Sequence, residues 1–223
     1  MKTKTILHII LLISFIACNA QTKDKTIDAE TISKISSNAD TLTINGQRFI
    51  ETRKNNNFYC LTSLKGDTII DAEDFYFKCE ILDFNDDGYK DLRVFIYSNT
   101  ANQCDNYLYD KDTKTFKQLQ FCDLDFKKIP NKNYYFTYFK KGCAGQDFGS
   151  YLSKLEGNNF INLAYIEENG CDFDTINNPQ NFKIYQVLET QKETLKLVKT
   201  YKYNDFEGIE EYWKLNCEKF DKK

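Results

Sequence analysis

Apolar and polar residues alternate along most of the chain from residue 41 onward, in short runs separated by turn-forming residues. Near the C-terminus, Leu195, Leu197, Tyr201 and Tyr203 fall on one face of an extended chain, and Lys196, Thr200 and Lys202 fall on the other. Such alternation predicts a half-buried antiparallel strand. The chain also contains 15 Tyr and 18 Phe, residue types that favour strands.

Turn residues divide this pattern into predicted strands. Asn45-Gly46 predicts a hairpin between Thr41–Ile44 and Gln47–Ile50, because the tight two-residue turn needs positive φ at both positions. Lys65-Gly66-Asp67 predicts a second hairpin between Phe58–Leu64 and Thr68–Ile70. The further predicted strands are Phe77–Phe84, Leu92–Ser98, Tyr107–Tyr109, Phe116–Leu119, Tyr134–Phe139, Phe148–Leu155, Phe160–Glu167, Phe182–Leu188 and Leu195–Tyr203.

A helical period occurs near the C-terminus, where Ile209, Tyr212, Trp213, Cys217 and Phe220 share one face. The pattern therefore predicts a mainly β fold with an antiparallel, hairpin-rich sheet, arranged as a sandwich or propeller-like, and one short C-terminal helix. We expect a single domain over residues 41–223.

The first residues have the features of an export signal. A basic start and a short apolar run fill residues 1–17, and this run is shorter than the roughly 20 residues that span a bilayer. Phe15-Ile16-Ala17-Cys18 resembles the lipobox of bacterial lipoproteins, which implies that Cys18 carries lipid. Residues 18–40 are polar and predict a flexible tether. The alternative is an ordinary signal peptide that is cut nearby.

The location expected from this signal is the bacterial envelope, with the membrane contacted only through the lipid. We expect anchoring in the outer membrane, and the lack of an acidic cluster directly after Cys18 favours the periplasmic side. Loss of residues 1–17 removes two lysines from the 30 basic residues and leaves the 33 acidic residues, a net charge of −5. This charge argues against a nucleic-acid partner and suits a basic protein partner.

The single histidine, His8, lies within the predicted signal. A mature chain without imidazole excludes Ser-His-Asp and Cys-His catalysis and histidine-containing metal sites. We therefore do not expect an enzyme. A carboxylate-dependent glycan hydrolase remains the enzymatic alternative, with acids such as Glu210 and Glu211 or Asp172 and Asp174 as candidates.

Seven cysteines follow Cys18, and export favours their pairing in disulfides. Two pairs are symmetric about predicted turns, Cys104 with Cys122 about Asp112 and Cys143 with Cys171 about Gly157-Asn158. Of the other three, Cys60 and Cys79 are the favoured pair, which leaves Cys217 over. A slip in strand register would change these partners.

The segment Asp83–Asp91 carries oxygen atoms at alternating positions. The side chains of Asp83, Asn85, Asp87 and Asp91 and the backbone carbonyl of Tyr89 can converge on one ion, with Gly88 permitting the sharp turn. Hard oxygen ligands in a loop favour Ca²⁺. The loop is not an EF-hand, because Val94 occupies the twelfth position where that motif has Glu. The alternative is an Asp-rich surface turn that binds no ion.

This loop resembles the D-x-[DN]-x-D-G-x-x-D calcium loop of FG-GAP/VCBS-type repeats. From Cys79 to about Gln120, "ILDFNDDGYKDLRVF" and "NYLYDKDTKTFKQL" are similar to a segment of periplasmic proteins related to antibacterial immunity factors and lysozyme inhibitors. The resemblance implies a β-fold that binds a peptidoglycan hydrolase and blocks its cleft.

A second candidate for partner binding is the glycine-rich segment 142–151. Gly145, Gly149, Ser150 and Tyr151 could form a recognition loop, and the alternative is a plain connection between strands. The leading functional hypothesis is a calcium-stabilised, protein-binding lipoprotein of the envelope, whose sharpest form is an inhibitor of a basic peptidoglycan hydrolase. A surface structural or adhesion module is the main non-enzymatic alternative.

Overall fold

Three antiparallel sheets follow one another along the chain in the computed structural model, which describes residues 37–142, 147–168, 170–171, 180–189 and 194–221. Strands dominate these residues, and a short helix lies near the C-terminus. The predicted mainly β fold is therefore confirmed.

The first sheet has four strands in sequential order. They are β1 (Ser37–Ile44), β2 (Gln47–Lys54), β3 (Asn57–Ser63) and β4 (Thr68–Ile70). Both predicted hairpins are present, and Asn45 and Gly46 have the positive φ angles, 51° and 76°, that their turn requires. Residues 37–40 pair with β2, so they belong to the sheet and not to the predicted tether.

The second sheet repeats this sequential order with four more strands. They are β5 (Tyr76–Leu82), β6 (Asp91–Ile96), β7 (Cys104–Asp110) and β8 (Thr115–Gln118). The segment predicted to bind calcium forms the connection from β5 to β6. Its setting between two strands is the one expected from the sequence.

The third sheet has seven strands in the order β15-β14-β13-β12-β10-β9, with β11 also paired to β12. The predicted strand over residues 134–139 is interrupted and becomes two short strands, and β9 was not predicted. The strands are β9 (Lys127–Lys128), β10 (Tyr134–Phe136), β11 (Phe139–Lys140), β12 (Phe148–Glu156), β13 (Asn159–Glu168), β14 (Asn181–Glu189) and β15 (Thr194–Lys202).

The predicted C-terminal helix is confirmed as α1 (Ile209–Asn216), flanked by 3-10 turns at Tyr203–Asp205 and Cys217–Lys219. Trp213 is fully buried against the third sheet, and its indole Nε1 donates a 2.8 Å hydrogen bond to Oγ of Ser150. In the described part of the chain, no helix is long and apolar enough to cross a bilayer.

Hydrophobic clusters connect the first sheet to the second, the second sheet to the third, and the third sheet to α1. Phe49 and Phe58 from the first sheet pack with Leu92 and Phe116 from the second. Another cluster brings together residues of the second and third sheets, and includes Phe84, Leu108, Tyr135 and Phe160. A further cluster lies between the third sheet and α1, and includes Leu152, Ile166, Ile184, Trp213 and Phe220.

Strand β15 differs from its prediction, because it is mostly exposed instead of half-buried. It lies at the end of the third sheet, and no described strand pairs with its outer edge. Leu195, Leu197 and Val198 are 39%, 54% and 52% exposed. Tyr201, near the C-terminal end of the strand, is covered by the rings of Phe206 and Tyr212. Alternation in the sequence cannot reveal this difference, because burial depends on where a strand lies in the sheet.

We predict that the stability of the fold depends strongly on glycine at position 149. A Cβ atom there would lie 2.7 Å from Cζ of Phe139 and 2.7 Å from the hydroxyl of Tyr165. We expect Gly149→Ala to reduce the free energy of unfolding by about 1–3 kcal/mol, measured by urea denaturation, because packed rings must move. Gly142→Ala is the control, since its Cβ would meet only Asp147 at 3.6 Å. Equal stability of the two variants would contradict the prediction.

Candidate functional site

The connection from β5 to β6 folds into a tight loop that turns its own polar side chains inward. Oδ1 of Asp83 and Oδ1 of Asn85 both accept a hydrogen bond from the backbone N–H of Asp87, at 3.1 and 3.2 Å. Oδ2 of Asp83 accepts another from the N–H of Gly88 at 3.0 Å. Gly88 has φ of 88°, in the left-handed region that glycine adopts without strain. Three side-chain oxygens of Asp83 and Asn85 therefore face the turn at residues 87–88.

Asp87 contributes to the same turn. Its Oδ1 accepts the N–H of Tyr89 at 2.9 Å, and its Oδ2 accepts the side-chain amide of Asn85 at 3.0 Å. The ring of Tyr89 stacks on that of Tyr109, with centroids 5.6 Å apart. This contact fixes the end of the loop against β7.

Asp91 closes the base of the loop and is only 1% exposed. Its two carboxylate oxygens accept the backbone N–H groups of Phe84 and Tyr109, each at 2.8 Å. Burial raises the pKa of Asp91 to about 6, and the negative charges of Asp87 and Asp83 raise it further, whereas the two N–H donors lower it. The loop thus concentrates negative charge at the junction of β5 and β6.

Two contacts from outside hold the loop in place. The side chain of Asn45, from the first hairpin turn, bonds both the N–H and the carbonyl of Lys90, at 2.7 and 2.8 Å. Lys128 of β9 forms an ion pair with Asp86 at 2.8 Å and a hydrogen bond with the carbonyl of Asn85. The loop is therefore anchored to all three sheets.

The residues present suit a hard cation in their chemistry. Two carboxylates and an amide oxygen turn into one loop, and a third carboxylate lies at its base, a donor set typical of Ca²⁺. Among the described residues, however, no three Asp, Glu, Cys or His side chains are grouped closely enough to hold an ion as they stand. Binding requires Asp83 and Asp87 to turn from backbone amides toward the ion. Calcium therefore remains a proposal.

The segment predicted to recognise a partner does not form one surface. Ser150 is fully buried under α1, where it accepts the Trp213 hydrogen bond, so its predicted role in partner binding is wrong. Gly149 is also buried, under the rings of Phe139 and Tyr165. Tyr151 is half-buried and packs beside Tyr165, with ring centroids 4.8 Å apart. Gly145 lies outside the described residues, so its role stays a prediction.

Two of the three predicted disulfides are not formed. Cys60, Cys79, Cys104 and Cys122 are free thiols, as is Cys217. Burial raises the pKa of Cys104 to about 12. Cys171 is disulfide-bonded, and its pairing with Cys143 stays a prediction because Cys143 lies outside the described residues.

Cys104 and Cys122 are not directly opposite each other across the extended β7–β8 hairpin. The β7–β8 hairpin keeps one register from Asp110 opposite Thr115 to Tyr107 opposite Gln118. Beyond it Gln103 pairs with Leu124, two residues further along than this register requires. The backbone carbonyl of Asp123 therefore accepts a hydrogen bond from the backbone N–H of Cys104. Cys60 and Cys79 lie in different sheets, on β3 and β5.

The sequence pattern missed a groove beside the start of α1, which we call the aromatic groove. It has a volume of about 540 Å³ and is lined by the rings of Phe136, Tyr138, Phe148, Phe182, Tyr203 and Phe206. Lys127 and Glu210 line it too and carry opposite charges. Tyr138 and Tyr203 are 42% and 49% exposed, so aromatic surface is open to solvent.

A buried carboxylate lies beneath this groove. Glu168 is directly opposite Phe148 on one side and Phe182 on the other, so the three side chains share a face of the sheet. The two rings have centroids only 5.5 Å apart although their strands are two spacings, about 9.6 Å, apart, so they lean together over Glu168. Burial raises the pKa of Glu168, whereas the hydrogen bond from Gln180 lowers it.

Comparison with known proteins finds little. No protein-family model matches the chain, and no curated protein matches it. A solved structure, described as that of a Xanthomonas type IV secretion system related protein, is similar over 74% of this chain and 85% of that chain. The sequences are 17% identical and the TM-score is 0.43. A similarity of this size does not establish a function.

Asp91 should matter for stability even when no calcium is present. We expect Asp91→Ala to lower the free energy of unfolding by about 3 kcal/mol in EDTA, because two buried N–H groups lose their acceptor. Asp91→Asn keeps one acceptor oxygen and should lose less. Asp112→Ala, whose side chain is exposed, serves as the control. Urea denaturation measures all three, and a stable Asp91→Ala variant would show that this carboxylate is dispensable.

Proposed function

We propose that the chain is a calcium-stabilised protein-binding module of the bacterial envelope, and in its sharpest form an inhibitor of a basic peptidoglycan hydrolase. The aromatic groove over Glu168 is the observation that carries the proposal. The resemblance of residues 79–120 to periplasmic immunity factors and lysozyme inhibitors supports the kind of partner. Export through residues 1–17 and lipid attachment at Cys18 belong to the same proposal, and those residues lie outside the described part of the chain.

The groove suits a positively charged side chain of a partner protein. A Lys or Arg positioned over aromatic faces is attracted by their quadrupole, and more strongly when water is excluded. Glu168 beneath the rings supplies a negative charge in a medium of low dielectric constant. At the rim, Glu210 forms an ion pair with Lys214 at 2.7 Å and also lies near Lys127, so Glu168 supplies the negative charge directly beneath the rings. A basic hydrolase fits this arrangement better than an acidic one.

Calcium has a structural role in this proposal. An ion held by Asp83, Asn85, Asp87, the carbonyl of Tyr89 and Asp91 would offset the repulsion among the carboxylates. Because the loop contacts β7, β9 and the first hairpin turn, an ordered loop stabilises the junction of the three sheets. The ion therefore acts at a distance from the partner and needs no contact with it.

The calcium proposal predicts a metal-dependent melting temperature. We expect Ca²⁺ to raise the Tm of the wild-type chain, since a ligand that binds only the folded state stabilises it. In Asp87→Ala the calcium-dependent part of the Tm should disappear, whereas Asp112→Ala should keep it. Differential scanning calorimetry with Ca²⁺ and with EDTA makes the measurement. Identical wild-type curves under both conditions would rule out the ion.

The partner proposal predicts that Glu168 determines affinity. We expect the full chain to bind a basic lysozyme-type muramidase, and Glu168→Gln, which keeps the shape, to weaken binding about tenfold. Tyr203→Ala should act in the same direction. Tyr97→Ala, which removes an aromatic ring that is 59% exposed at the start of the β6–β7 connection, is the matched control. Biolayer interferometry and the rate of cell-wall lysis provide two readouts, and equal affinity of wild type and Glu168→Gln would refute the role of the groove.

A further inference from the structure

A second cavity, larger than the aromatic groove and separate from it, lies between the end of the β7–β8 hairpin and the face of β12 and β13 that is remote from α1. Its volume is about 880 Å³, within the range of about 300–1,000 Å³ that ligand pockets have. Leu119, Leu124 and Phe126 form a buried, apolar floor. We call it the amide cavity because of the side chains on its walls.

Three glutamine side chains on the walls of the cavity have no hydrogen-bonding partner among the described residues. Gln103, Gln118 and Gln120 line the cavity, and within the described residues their side chains form no hydrogen bond. Each amide offers two donors and an acceptor at fixed angles. Asp123 adds a carboxylate acceptor at the same opening, as does Asp105, whose Oδ2 also accepts a 2.8 Å hydrogen bond from the hydroxyl of Tyr76. The cavity therefore presents many directional hydrogen-bonding groups to a ligand.

Phe121 extends this cavity with an exposed aromatic ring. Its side chain is 57% exposed and stacks on no other ring of the described chain. Its φ is 59°, in the left-handed region that a bulky residue rarely adopts. Strain of this kind persists where the surrounding structure imposes it and is concentrated at binding sites. Phe139 and Tyr151 contribute rings on the opposite wall.

This combination selects the class of ligand. An anion is disfavoured by Asp105 and Asp123, and no Lys or Arg of the described chain lines the cavity. A purely apolar ligand would leave the amides and carboxylates without partners, which is costly. A sugar ring satisfies both requirements, because its hydroxyls bond amides and carboxylates while its C–H face packs on an aromatic ring.

We propose that the amide cavity binds a neutral oligosaccharide, with Phe121 as the stacking platform and the three glutamines as hydrogen-bonding partners. The site is separate from the aromatic groove, so the saccharide proposal can be tested independently of the hydrolase proposal. A protein segment is the competing occupant.

The test uses the full chain in a detergent without a sugar head group. Isothermal titration calorimetry measures binding of uncharged tetrasaccharides of N-acetylglucosamine, glucose, galactose and mannose, and of an acidic tetramer of galacturonate. We expect at least one neutral tetrasaccharide to bind and the acidic one to bind at least about tenfold more weakly. Absence of binding by every neutral tetrasaccharide, or tighter binding of the acidic one, would overturn the proposal.

Phe121→Gly separates a binding role from a structural one. Glycine adopts the left-handed conformation without strain, so the variant should melt at or above the wild-type temperature. The same variant should bind the saccharide at least about tenfold more weakly, because the ring is gone. Gln120→Ala should weaken binding less, and Tyr97→Ala should leave it unchanged.

Parallel measurements distinguish the two proposals. Glu168→Gln should retain saccharide binding, and Phe121→Gly should retain binding to the muramidase. If Phe121→Gly binds the saccharide as the wild type does, the stacking role is wrong. If it loses affinity for the muramidase instead, the cavity is a protein contact and the saccharide proposal fails.

Discussion

The carboxylate of Asp91 is the interaction on which the arrangement of the sheets depends. By accepting the N–H groups of Phe84 and Tyr109, it holds the start of the loop that follows β5 against β7. Phe84 is thereby fixed with its ring against Tyr135 and Phe160 of the third sheet, at 5.1 and 5.7 Å. Charge-assisted bonds of this kind are about twice as strong as neutral ones, which offsets part of the burial cost. One buried acid thus links the loop, the second sheet and the third.

Local sequence patterns predicted the elements well, because hairpin turns and alternation are local properties. Asn45-Gly46 and the oxygen-bearing loop from Asp83 to Asp91 are examples, and each is formed by neighbouring residues. Properties set by distant parts of the chain were missed. The exposure of β15 depends on sheet order, and the residue opposite Cys104, Asp123, is set by the strand pairing beyond β8. The position of Glu168 between Phe148 and Phe182 requires three strands to be aligned.

Strand β12 illustrates how a short motif can be divided by the fold. Successive residues of a strand point to opposite faces of its sheet. Ser150 therefore meets Trp213 of α1, whereas Gly149 and Tyr151 lie on the face that carries Phe139 and Tyr165. The two faces lead to different features, the aromatic groove on the side of α1 and the amide cavity on the other. Adjacent residues of this strand cannot present themselves together to one partner.

Strand β15 has exposed leucines and an outer edge with which no described strand pairs. Such an edge favours aggregation, because its backbone groups can pair with another copy of the chain. Lys196, Lys199 and Lys202 lie along the same strand. If two molecules met edge to edge, each would place its lysines near those of the other, and the repulsion would grow as the strands approached. We therefore expect molecules crowded on a surface to resist growing into fibrils through this edge.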